Sequence, residues 1–130
     1  MTTRSIGGSE LENIVDGLSA SGLAVVHIFQ DGTPLAATLV PAFRELSVRG
    51  SPFSHFYEMD IDETDQAVLD QLGVVSLPAF VVVGKADYPH DAAPDPPVIV
   101  PGWDGVQIVA SASVSTIDRL EVILARIGVL

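Results

Sequence analysis

At 130 residues, with 48% hydrophobic and 18% charged, the chain is sized for one domain (1–130) and carries enough apolar material for a core, which excludes a disordered chain. A formal net charge of -11 repels nucleic acid and anionic membrane surfaces, so neither is an expected partner. Cysteine is absent, which removes disulfides, zinc–thiolate sites and thiol nucleophiles together.

The first eight residues hold one arginine and no apolar run, so no secretory leader is expected and the cytoplasm is the default location. Ser9 and Glu12 have the spacing of a capping box, followed by Leu11, Ile14, Val15 and Leu18 at helical spacing, with Gly22 as the stop. Ala24 to Phe29 is β-branched and apolar on both alternating faces, as a buried parallel strand is. After the turn Gln30-Asp31-Gly32, Thr33 and Pro34 read as N-cap and first residue of a helix: threonine caps, and proline there gives up no needed N–H. That helix carries Leu39, Val40, Phe43 and Leu46, with Pro41 inside it as a kink.

Phe56 to Ile61 is a second strand. A short helix starts at Asp62 and stops at Gly73. Ser76-Leu77-Pro78 leads into a third strand, Ala79 to Val83. The stretch 84–97 holds four prolines and three aspartates and reads as a long loop between the last two strands. Val98 to Val100 is a short strand ended by Pro101-Gly102. The final helix starts at Ser115-Thr116 and puts Ile117, Leu120, Ile123, Leu124 and Ile127 on one face. This order implies an α/β fold with a mixed central sheet of about four strands and helices on both faces.

Several features in register resemble the thioredoxin family. Pro41 follows Thr33 by eight residues, as the family's helix proline follows its first active-site cysteine, so Thr33-Pro34-Leu35-Ala36 stands where the family carries Cys-x-x-Cys. Asp60-Ile61-Asp62 resembles the end of its second core strand, Gly73 to Pro78 the segment ending in its cis-proline, and Gly102 the glycine of its last active-site loop. The chain departs from the family in three ways: both cysteines are missing, Gly32 replaces the tryptophan before the first of them, and the loop at 84–97 is longer. The resemblance implies a thioredoxin-like fold without dithiol chemistry and with no cofactor.

The resemblance also implies a site. Gly32, Thr33, Pro34, Leu35, Leu77, Pro78, Gly102 and Trp103 would form one apolar groove, with Leu77–Pro78 cis and Trp103 exposed on the rim, able to hold a protein or an extended peptide by main-chain pairing. The alternative for Trp103 is a core position. His27 and Glu58 fall where the family has a buried acid and its lysine, with the polarity exchanged. They are expected to hydrogen-bond to each other beneath Thr33-Pro34, the alternative being a histidine that simply packs. No catalytic residue is expected: a threonine nucleophile needs an adjacent base, and Thr33 reads as a cap.

No metal is expected either. Asp60, Asp62, Glu63 and Asp65 lack the glycine and distant glutamate of an EF-hand loop, and His27, His55 and His90 are scattered. The functional expectation is a redox-inactive adaptor or chaperone-type binding module. The alternatives are a homodimeric scaffold, a glutathione-type ligand-binding domain, and a paralogue without residual activity.

Overall fold

The computed structural model describes residues 3–19, 22–50, 54–64, 66–74, 76–85, 98–99, 103 and 105–130. Strands β1 (Arg4–Ser5), β2 (Leu23–Phe29), β3 (Ser54–Asp60), β4 (Ala79–Lys85), β5 (Val98–Ile99) and β6 (Val106–Ala112) form one sheet in the order β1-β3-β2-β4-β6-β5. β2 pairs in parallel with β3 and antiparallel with β4, which places it at the centre of a mixed sheet. Every residue of β2 is buried, as the unbroken apolar run requires.

The helices are α1 (Gly8–Asp16), α2 (Pro34–Ser47), α3 (Gln66–Gln71) and α4 (Ile117–Arg126), with a single 3₁₀ turn at Ile61–Glu63. Alternation along the strands divides the apolar residues into two cores. Val26 and Ile28 pack with Leu11 and Val15 of α1 and with Leu69 of α3 on one face. Val25 packs with Leu39 and Phe43 of α2 and with Leu120 and Leu124 of α4 on the other. No helix among the described residues is long and apolar enough to cross a membrane.

The sheet is larger than the expected four strands. The added strand β6 carries a weak sequence signal, because Gln107, Ala110, Ser111 and Ala112 dilute its apolar pattern. Its place is decided by six residue pairs with β4, interrupted by one register shift at Val82/Val83. The hairpin partner of β4 is therefore β6, and Val98–Ile99 forms the sheet edge instead. The loop expected at 84–97 starts later, because Gly84 and Lys85 still belong to β4; 86–97 lie outside the described residues.

The helix ends also differ in detail. Gly7, not Ser9, is the N-cap of α1: Glu10 Oε1 accepts a hydrogen bond from the Gly7 N–H at 3.2 Å. The helix ends at Gly17, well before Gly22. Thr33, Gly73 and Thr116 sit at the helix ends where they were expected.

Candidate functional site

The central strand β2 ends at Phe29, and the turn through Gly32 sends the chain back as α2. Gly32 has φ +83, a left-handed value that a side chain would strain. Thr33 then caps the helix: its Oγ1 accepts from the Ala36 N–H at 3.2 Å and donates to the Gln30 carbonyl at 2.9 Å. Both capacities of the hydroxyl are thus used in holding the turn, which suits a cap and not a nucleophile.

Across from this turn, the β2–β4 ladder ends at the Ile28–Ala79 pair, so Leu77 and Pro78 lie beyond it. The Leu77–Pro78 peptide bond is cis. Thr33, Pro34, Leu35, Leu77 and Pro78 converge, with Phe29, Gln30 and Ala36, around a hollow of about 390 Å³. Leu35 stands on its rim with 41% of its surface exposed, one of three large hydrophobic residues exposed among the described residues. Five of the eight residues expected in the groove are thereby brought together. Gly32 is not among them: it opens on a second, larger hollow of about 860 Å³ on the other side of Pro34.

Trp103 does not form the rim. It is 7% exposed and packs in the core beneath α1 and α3. An indole offers so much apolar area that this small domain gains more by burying it than by displaying it. Gly102 lies outside the described residues.

The expected His27–Glu58 hydrogen bond is also absent. The two residues are neighbours in register across β2 and β3, and both are buried. Glu58 is held instead by Arg44 of α2, whose Nε reaches Oε2 at 2.7 Å and whose Nη2 reaches Oε1 at 2.9 Å; Thr3 also donates to Oε2. A planar guanidinium grips both carboxylate oxygens at once, which imidazole cannot do. Burial pushes the Glu58 carboxyl up, but the hydrogen bonds from Arg44 and Thr3 and the nearby positive charge hold it below the usual glutamate range.

His27 is left with neither ring nitrogen partnered. Its ring stacks on Phe80 at 4.6 Å between centroids and 9° between planes, and lies against Phe29 and Phe43. Burial lowers its pKa to about 4, with the charge of Glu58 pulling weakly the other way, so at neutral pH it behaves as one more aromatic ring.

Arg44 and Thr3 were not read as site residues from the sequence. The signal was present: an acid in an apolar strand needs a cation, the chain has six Lys and Arg, and Arg44 lies on the helix that crosses that strand. Replacing it tests the clasp. Arg44→Met strands a buried carboxylate and is expected to cost about 2 kcal/mol at neutral pH, less than a fully buried pair because the guanidinium is largely exposed. Because the Glu58 pKa is lowered by folding, this loss shrinks as pH falls through the carboxylate range. Urea unfolding at two pH values measures both.

The structure aligns with thioredoxins along nearly its whole length. Against reduced Schistosoma mansoni thioredoxin pre-protein the TM-score is 0.71 at 16% identity, covering 98% of this chain and 99% of that chain. This chain has the thioredoxin fold. Fasciola hepatica thioredoxin gives 0.67 at 18% identity over 95% of this chain and 98% of that one. The short form of thioredoxin f from spinach chloroplast gives 0.68 at 15% over 96% and 93%. No protein-family profile and no curated protein matches the sequence.

At these identities the likeness is one of fold, and the chemistry has to be read from the residues. A thioredoxin fold without cysteine has no thiolate attacker and no resolving thiol, so thioredoxin-type dithiol exchange is closed to it. Among the described residues no three His, Asp or Glu side chains converge as a metal site needs.

Proposed function

We propose that this thioredoxin-fold chain is a redox-inactive binding module that holds an extended segment of a partner protein, in the manner of an adaptor or chaperone. The observation that supports this reading is the 390 Å³ hollow between the start of α2 and the Leu77–Pro78 turn, apolar along most of its wall and rimmed by exposed Leu35. In this reading a partner side chain fills the hollow, and the partner main chain runs beside Leu77, beyond the last pair of the β2–β4 ladder. The mode needs main chain and shape, not thiol.

The test is fluorescence anisotropy with labelled extended peptides carrying a leucine–phenylalanine pair. Binding is expected, and Leu35→Glu or Leu77→Glu should each weaken it by about tenfold or more, because a charge would have to be desolvated in the hollow. Peptides that bind equally to parent and variants would remove the hollow from the reading. Sedimentation of the same proteins separates the rival, a homodimer that fills the hollow with its own copy: a dimer that Leu35→Glu converts to monomer would replace the adaptor reading.

A further inference from the structure

The two hollows are not separate features. Phe29, Thr33, Pro34 and Ala36 line both, so the first turn of α2 is a low ridge with an apolar hollow on one side and the larger one on the other. The larger hollow has a different character. Its lining includes Phe29, Val40 and Pro41 together with the acidic residues Asp31, Glu58, Asp60 and Glu63, against one cation, Arg44. Arg44 is already committed to Glu58 through both carboxylate oxygens. The start of α2 adds roughly half a positive charge, which cannot offset the remaining three acids.

We infer that the occupant of the groove is a basic segment: an apolar side chain in the hollow beside Leu77–Pro78 and, across the Pro34 ridge, a lysine or arginine whose aliphatic stem lies on Phe29, Val40 and Pro41 with its charge among Asp31, Asp60 and Glu63. This rests on the groove reading above and gives that groove a partner chemistry. A stem-and-head side chain matches a hollow whose lining is part apolar and part acidic. The charge of the whole body points the same way, since at -11 the protein steers cations towards itself and repels a second copy.

The probes are fluorescein-labelled peptides of glycine and serine that carry one leucine–phenylalanine pair, flanked on either side by lysine, glutamine or glutamate at successive positions. At low ionic strength the best lysine peptide is expected to bind about three- to tenfold more tightly than its glutamine counterpart, and glutamate peptides more weakly still. The lysine advantage should fade as salt shortens the screening length to a few ångströms. In the double variant Asp60→Asn with Glu63→Gln the ratio of lysine to glutamine affinity should fall towards one; asparagine keeps the oxygen with which Asp60 accepts from the Asp62 N–H.

Equal binding of lysine and glutamine peptides would overturn the basic-segment inference and leave the groove reading standing. A lysine preference that survives the double variant would also overturn it, by placing the cation elsewhere. Failure of every peptide, the glutamine series included, would overturn the groove reading and this inference with it.

Discussion

Thr33→Cys combined with Ala36→Cys is expected to turn a chain inert towards disulfides into one that reduces insulin. The two positions are the N-cap and third residue of α2, where the Thr33 side-chain oxygen already sits 3.2 Å from the Ala36 N–H. A thiolate at the first position would face the unpaired N–H groups of the helix start, which lower thiol pKa values and make the attacking form available at neutral pH. The second position is 4% exposed, so its thiol would be shielded until the mixed disulfide forms.

The exchange removes the threonine cap, which costs about 1 kcal/mol, and adds a sulfur at a packed site. Neither should prevent folding. The parent chain is the control, and any activity must come from the new pair. A variant that folds by circular dichroism and forms its disulfide, yet leaves insulin intact, would mean that the hollow beside Leu77–Pro78 does not admit an extended chain. The proposed binding mode would then lose its support.

His27→Phe is expected to stabilise the protein and to flatten its stability between about pH 6.5 and 4. The histidine buries two nitrogens without partners among Phe29, Phe43 and Phe80. Its pKa is about 4 in the fold against a usual 6.5. Between those values the unfolded chain takes up a proton that the folded chain refuses, so stability falls as pH drops. By linkage the loss between neutral pH and about pH 4 is roughly 3 kcal/mol for this one residue.

Phenylalanine keeps the stack on Phe80 and carries no polar atom. The gain at neutral pH should be about 1–2 kcal/mol, the penalty of unpaired buried nitrogens less some crowding by the larger ring. His27→Leu loses the stack but should show the same flattened profile. Urea midpoints at several pH values decide the matter: parallel profiles for parent and variants would show that the imidazole finds a proton acceptor at low pH. Glu58 would be that acceptor, as the residue in register with it on β3.

The legible parts of the site were those fixed by neighbours a few residues away. Thr33 followed by Pro34 announces a capped helix start, and the structure has both capping bonds and the proline at the first helical turn. The all-apolar run of β2 announces a strand buried on two faces. Gly73 ends α3 with a positive φ that its position predicted. The residues around the smaller hollow follow from the resemblance to thioredoxins, which supplied the fold that brings α2 against the Leu77–Pro78 turn.

What the sequence by itself determined is chemical and local: no cysteine and hence no dithiol exchange, a strongly acidic body, the starts of α2 and α4 and the stop of α3. These depend on which atoms are present and on hydrogen bonds that span three or four residues. Only the tertiary structure decided that β6 and not Val98–Ile99 pairs with β4, that Trp103 turns inward, and that Glu58 takes Arg44 and leaves His27 unpaired. Each of these is a choice among partners distant in the chain. It is settled by the shape and donor geometry of the groups that meet when the layers close, which no run of adjacent residues encodes.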